Sequence, residues 1–253
     1  MSDASGPALL TVSDLEVAYG KAVVVRDVAF EVQAGEFVVM LGRNGAGKST
    51  ILHAVSGLIP KRKGRVRFAG HDITHAAART IVQSGLVQVL QGHRVFTSLT
   101  VEDNLLLGTY ATGGRDRGQL ERVYALFPEL AERRQQPASR LSGGQQQILA
   151  VAQGVIAHPR LLILDEPSSG LAPLVVDRIL DVASSLCREG LAILLVEQLV
   201  DKALRHANVG YLIETGRVMA RATAAELAGS TLLEQIYLGG HAPGAAHAPA
   251  TGS

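Results

Sequence analysis

The 253-residue chain lacks three things: a second cysteine, an apolar run of membrane-spanning length, and a marked excess of charge of either sign. With Cys187 as its one thiol it cannot close an internal disulfide, which suits a reducing compartment. Cys187 falls in a helical pattern, where packing alone accounts for it. Apolar runs such as 161–164 and 191–196 are of strand length, far short of the ~20 residues that a membrane helix needs. The first seven residues lack the basic-then-apolar pattern of an export signal, so a cytosolic location is expected. A net charge of +1 argues against a nucleic-acid partner. Hydrophobic residues at 47% and charged residues at 19% describe a globular chain long enough for one large α/β domain.

What is present is a phosphate-binding pattern. Gly42-Arg43-Asn44-Gly45-Ala46-Gly47-Lys48-Ser49-Thr50 fits G-x-x-x-x-G-K-[S/T]. The apolar run 37–41 before it reads as a buried parallel strand, and 49–55 after it reads as a helix. Glycines at 42, 45 and 47 let backbone N–H groups approach phosphate oxygens. The helix N-terminus adds its dipole and unpaired amides. The candidate phosphate positions are therefore Gly42, Asn44, Gly45, Ala46, Gly47, Lys48, Ser49 and Thr50. Lys48 would reach the β- and γ-phosphates, and the Ser49 hydroxyl would ligate Mg²⁺.

A second strand, 161–164, ends in Asp165-Glu166. Ligands of parallel sheets sit at the carboxyl ends of strands, so both acids should face the nucleotide. Asp165 fits a Mg²⁺ partner and Glu166 a base for the attacking water.

The rest of the chain frames these two motifs. Residues 8–19, 23–25 and 28–32 read as short strands with tight turns, as of an antiparallel sheet beside the core. Tyr19, just before a turn, either stacks on an adenine ring or packs at a sheet edge. A strand at 64–69, a turn at 70–72, a short helix at 76–83 and a buried strand at 85–90 follow. Thr100 opens a helix with a capping hydroxyl and acids in its first turn. From there to 158 the pattern is nearly all helical, an insertion between core strands. Ser142 begins another helix, with Gln145 completing S-x-x-Q. A helix is expected at 173–188, a strand at 191–196, a hairpin about Thr215-Gly216, and a capping box at 223–226. The Ala-, Pro-, Gly- and His-rich tail 241–253 reads as disordered.

The segment Leu141-Ser142-Gly143-Gly144-Gln145 lies some twenty residues before the Asp165-Glu166 strand. Together with the phosphate loop, this pairing resembles the ATP-binding-cassette ATPase family over about residues 9–240. The resemblance implies a P-loop NTPase (RecA-like) core with an antiparallel β-subdomain and a helical subdomain. The implied domain spans 8–240, with the helical part at about 92–158. It further implies a head-to-tail pair of subunits sandwiching ATP and Mg²⁺. Ser142, Gly143, Gly144 and Gln145 would then serve the partner's nucleotide. Tyr19 matches the family's adenine-stacking aromatic. Gln91 resembles the glutamine that senses Mg²⁺ and water and relays closure to the membrane subunit, with Gln88 as its rival.

Two positions depart from the general family pattern. Gln198 stands where most cassettes carry a histidine that contacts the γ-phosphate. Its amide can hydrogen-bond phosphate but cannot become cationic. Ala172 stands where many carry an aspartate. These departures resemble one branch, the ATPases of importers for branched-chain and other hydrophobic amino acids. That branch also shows the equivalents of Gln91-Gly92-His93-Arg94, Gly170-Leu171-Ala172-Pro173, Leu195-Val196-Glu197-Gln198 and Tyr237-Leu238-Gly239. The resemblance implies catalytic roles for Glu166, Lys48 and Gln198, and a metal site of Ser49, Gln91 and Asp165. It also implies a homodimer or heterodimer of ATPase subunits on integral membrane permease subunits, fed indirectly by a periplasmic solute-binding protein. The protein would sit peripherally on the cytoplasmic side of the inner membrane. ATPases of urea and short-amide importers are similar, and a regulatory module with little turnover is the alternative from another class.

Overall fold

The computed structural model describes residues 7–92, 94–110, 113, 117–231 and 233. His93, the motif at 237–239 and the tail at 241–253 lie outside the described residues. Two sheets form the frame. The antiparallel sheet holds β1 (Leu10–Tyr19), β2 (Ala22–Val32), β4 (Lys63–Phe68) and β5 (His71–Asp72), in the order β2-β1-β4-β5. The core sheet holds β3 (Phe37–Leu41), β6 (Leu86–Val89), β7 (Leu161–Asp165), β8 (Ala192–Glu197), β9 (Val209–Glu214) and β10 (Arg217–Thr223), in the order β10-β9-β3-β8-β7-β6. Within it β9, β3, β8, β7 and β6 run parallel, and β10 returns antiparallel on β9.

The central strands are apolar without interruption because both of their faces are covered. Every residue of β3, β7 and β8 is buried. Alternate side chains divide between two cores. Val39, Leu41, Leu162, Leu164, Ile193 and Leu195 pack with the helical region. Val38, Met40, Ile163, Leu194 and Val196 pack with the first helix and the antiparallel sheet.

Nine helices are placed around these sheets among the described residues. They are α1 (Lys48–Val55), α2 (Ala78–Gln83), α3 (Val101–Gly108), α4 (Arg117–Leu126), α5 (Pro128–Ala131), α6 (Gly143–Ile156), α7 (Pro173–Arg188), α8 (Val200–His206) and α9 (Ala224–Ala228). Thr100 caps α3 by accepting from the Asp103 amide, and Pro128 starts α5 at its first turn. Thr223 and Glu226 close a reciprocal capping box on α9.

Three local expectations need correction. Residues 22–32 form one strand, not two; a register shift against β1 and a left-handed Asp27 (φ 53°) bend it without ending it. His71 and Asp72 are not part of a turn but a two-residue strand on β4, after a tight turn at Ala69-Gly70. The stretch 132–142 is not helical apart from one 3₁₀ turn at Ala138–Arg140. There the backbone bonds outward instead: the Ala138 amide donates to the Leu99 carbonyl (2.9 Å), and the Val101 amide donates to the Gln136 carbonyl (3.0 Å). Pro137, with no N–H and a fixed φ, sits in the middle of this exchange.

The turn between β9 and β10 joins the two sheets to the phosphate loop. The Gly216 amide donates to the Ala46 carbonyl (2.9 Å), and its carbonyl accepts from the Arg26 amide (2.8 Å). Gly216 has φ 75°, and a Cβ there would lie 1.9 Å from the Val24 carbonyl oxygen. Gly216→Ala is therefore expected to destabilise the protein by about 3 kcal/mol, through strain and forced displacement of β2. The check is thermal unfolding, with a drop in Tm of roughly 10 °C; an unchanged Tm would contradict this account of the turn.

Candidate functional site

The carboxyl ends of β3, β7 and β8, with the residues just beyond β6, converge on one spot. The loop after β3 has its tip, Asn44 and Gly45, exposed, while Gly42, Ala46 and Gly47 are buried. Gly42 must be glycine because a Cβ would meet the Ile213 carbonyl oxygen at 2.2 Å. Gly47 is the N-cap of α1 in a left-handed conformation (φ 99°), and no side chain caps that helix. The first amides of α1 are thus left for an anion. Ser49 and Thr50, half-buried, are in its first turn.

Lys48 is buried, 4% exposed. Its Nζ donates to the carbonyls of Gly42 (2.8 Å) and Arg43 (3.1 Å) and lies 3.5 Å from Glu166 Oε1. The other oxygen of Glu166 accepts from Gln198 Nε2 (2.7 Å) and Gln91 Nε2 (3.1 Å). One carboxylate thus gathers a cation and two amides from three separate segments. Glu166 itself has φ 46°, in the left-handed region, and its amide donates to the Val196 carbonyl (2.9 Å).

Asp165, 2% exposed, accepts from the Ser49 hydroxyl at 2.9 Å on Oδ1 and has His53 Nε2 3.6 Å from Oδ2. Burial raises its pKa above the usual carboxylate value; the Ser49 hydrogen bond and the nearby His53 and Lys48 oppose this, while Glu166 adds to it. Ser49 and Asp165 are hard oxygen donors side by side, as Mg²⁺ requires. Among the described residues no cluster of three or more His, Cys, Asp or Glu suits a metal. The donor set therefore fits an ion completed by phosphate oxygens and water rather than an all-protein cage.

Of the sequence-derived candidates, the structure brings together Lys48, Ser49, Gln91, Asp165, Glu166 and Gln198. It brings Gln91 and not Gln88 to Glu166; the Gln88 amide is buried on β6 without a hydrogen-bond partner among the described residues. Tyr19 is 53% exposed at the end of β1, paired with Ala22. Two residues on, Val24 and Val25 pass beside Gly47, so the strand that Tyr19 pairs with runs past the phosphate loop. Ser142 and Gln145 are occupied locally in a capping box at the start of α6. Among the described residues no hydrogen bond or ion pair joins Ser142, Gly143, Gly144 or Gln145 to the Lys48–Glu166 group. Gly144 is required by packing, since a Cβ would lie 2.9 Å from Val175 Cγ2, whereas Gly143 opens on free space.

Several residues escaped the sequence reading. Asn104, fully buried, accepts from the Phe96 amide (2.8 Å) and donates to the carbonyls of Phe96 (2.9 Å) and Thr100 (2.9 Å). It fixes the segment that follows Gln91. The available signal was a polar residue on the apolar face shared with Val101 and Leu105. Glu197, 1% exposed at the end of β8, accepts from Ser168 and Gln198. His53 follows Ser49 by one helical turn and reaches the same aspartate.

A glycine-rich anion loop, a buried lysine and paired acids at parallel strand ends define a nucleoside-triphosphate-binding protein of the P-loop class. Comparison narrows this. Residues 25–169 match the family model described as ABC transporter, and the chain belongs to the ABC transporter family, whose cassettes are ATPases. It is 40% identical over 233 residues to the high-affinity branched-chain amino acid transport ATP-binding protein BraG of Pseudomonas aeruginosa, covering 92% of this chain and 100% of that one. It is 30% identical over 235 residues to the lipopolysaccharide export system ATP-binding protein LptB of Escherichia coli strain K12, covering 92% and 98%. The ADP conformation of MJ1267, an ATP-binding cassette of an ABC transporter, superposes with a TM-score of 0.83 at 23% identity over 92% of this chain and 100% of that one.

The raised pKa of Asp165 gives a prediction with a definite sign. A carboxylate whose folded pKa is raised costs stability above that pKa and costs nothing once protonated in both states. Asp165→Asn, which keeps an acceptor for Ser49, should raise the Tm of the nucleotide-free protein at pH 7. The gain should shrink as pH falls towards the unfolded value. The same variant should lose Mg²⁺-dependent tightening of ATP binding. A Tm lowered at pH 7 would contradict the assigned cause.

Proposed function

We propose that this chain is the ATP-hydrolysing subunit of an importer for branched-chain or other hydrophobic amino acids. The observation that carries the chemistry is the convergence of Lys48, Gln91 and Gln198 on Glu166. The likeness to BraG, over nearly the whole chain, carries the transport assignment. The cassette domain would span 8–240, with a helical subdomain at about 92–158.

In this reading Lys48 moves its charge from Glu166 to the β- and γ-phosphates. Glu166 stays oriented by two neutral amides and accepts the proton of the attacking water. Mg²⁺, held through Ser49 and Asp165 with Gln91 nearby, would neutralise phosphate charge. Gln198 offers the γ-phosphate an uncharged donor. The loop amides of residues 42–50 cradle the phosphates, and exposed Tyr19 stacks on the base. Ser142, Gly143, Gly144 and Gln145 serve the nucleotide of a second ATPase subunit, a copy of this chain or a related one. Support for this comes from Gly143, which nothing among the described residues requires to be so small.

Integral membrane permease subunits would dock on the segment from Gln91 to Leu107, where Phe96 is 58% exposed and Leu107 is 41% exposed. A periplasmic solute-binding protein would act through them. Among the described residues no helix is long and apolar enough to cross a membrane, which is compatible with a peripheral position on the cytoplasmic face. The likeness to LptB supports a second reading, an export ATPase of the same architecture.

Glu166→Gln should lower ATP turnover by roughly 100-fold or more while ATP binding persists. With ATP the variant should accumulate as a dimer in light scattering. Turnover equal to the unmodified protein would overturn the base assignment. ATP-driven uptake of leucine into proteoliposomes carrying the complete transporter would separate import from export.

A further inference from the structure

Glu197 is an acidic side chain with almost no access to water, yet no cation is within ion-pair distance of it among the described residues. Hydrogen-bond donors take the place of a counter-charge. Oε1 accepts from the Ser168 amide at 3.0 Å. Oε2 accepts from the Ser168 hydroxyl at 2.6 Å and from the Gln198 amide at 3.0 Å. Ser168 lies in the turn between β7 and α7, two residues beyond Glu166. Gln198 follows β8, and its side chain donates to Glu166 at 2.7 Å. Glu197 therefore fastens the segments on both sides of the catalytic carboxylate to the end of one buried strand.

Resting on the ATPase reading above, we infer that Glu197 is a positioning residue for hydrolysis, holding Gln198 and the 168–171 turn in register with Glu166. The chemistry of the position singles out a carboxylate. Two backbone N–H groups, which can only donate, approach opposite oxygens of the same side chain. A glutamine of the same shape has one acceptor and one NH₂. Turned one way, it leaves the Ser168 amide facing another donor. Turned the other way, it does so to the Gln198 amide. No rotamer of the amide satisfies both, so the smallest possible change must release one segment.

The consequence reaches beyond the site. The turn released on one side, with left-handed Gly170 (φ 72°), leads directly to Leu174, 81% exposed at the start of α7. The exposed corner is thereby connected through Ser168, Glu197 and Gln198 to Oε2 of Glu166, the oxygen not paired with Lys48.

The test is Glu197→Gln, made alone and together with Gln198→Ala. Alone, it should lower kcat by roughly tenfold with KM and ATP affinity within about twofold of the unmodified protein. In the Gln198→Ala background it should lower kcat by clearly less than it does alone, because one of the two segments it holds no longer bonds Glu166. Equal losses in both backgrounds, or an unchanged kcat alone, would overturn the inference. Hydrogen exchange gives a readout independent of turnover. The amide of Ser168 or of Gln198 should exchange at least roughly tenfold faster in Glu197→Gln, and full protection of both would refute the clamp. Should Glu197→Gln not fold, Ser168→Ala removes the hydroxyl bond alone and keeps both amide bonds. It is expected to lower kcat by roughly threefold, again non-additively with Gln198→Ala. Absence of hydrolysis by the unmodified protein would refute the ATPase reading instead, and the exchange measurement would still decide the clamp.

Discussion

A lysine shut away from water beside a carboxylate is the interaction on which the rest of this structure depends. Burying such a pair costs more in lost hydration than their attraction returns unless further hydrogen bonds complete both groups. Here they do. The loop carbonyls of Gly42 and Arg43 complete Lys48, and the amides of Gln91 and Gln198 complete Glu166. Meeting these demands requires four strand ends to finish at one place. That requirement explains the uninterrupted apolar character of β3, β7 and β8, which hold those ends rigidly. The site is thus a property of the sheet as much as of the loop.

The two anion-binding features differ in what their glycines do. In the phosphate loop Gly42 answers to the chain's own backbone, packed against Ile213. At the start of α6 the division is sharper: Gly144 is fixed by Val175, while Gly143 faces open space. The loop therefore carries its own ligand geometry, whereas the α6 terminus leaves open space at Gly143 among the described residues. Under the function proposed above, the two features would serve different nucleotides, one in each subunit of a pair.

Legibility in the sequence followed the range of the interactions. The phosphate loop, the apolar runs read as strands at 37–41, 161–164 and 191–196, and the caps at Thr100, Ser142 and Thr223 are local patterns, and they stand within a residue of where their spacing puts them. Strand order was not legible, because β3 lies between β8 and β9, which follow it by some 150 residues. The stretch 132–142 was misread as helix since its hydrogen bonds go to residues around 97–102, a pairing that periodicity cannot report. Glu197 was read only as one letter of a motif, and Asn104 was not singled out. Their significance lies in partners on other segments, and an acid ending a strand looks the same whether it faces solvent or clamps a turn.

Glu166 sits at a backbone angle that favours glycine and asparagine over glutamate. Holding a non-glycine residue there costs on the order of 1–2 kcal/mol. Selection for a sturdier fold alone would drift this position towards residues that accept the angle and cannot take a proton. Glutamate therefore stands here against the preference of its own backbone. A copy bearing asparagine or glycine at this point would relax the backbone and lose the carboxylate on which Lys48, Gln91 and Gln198 converge.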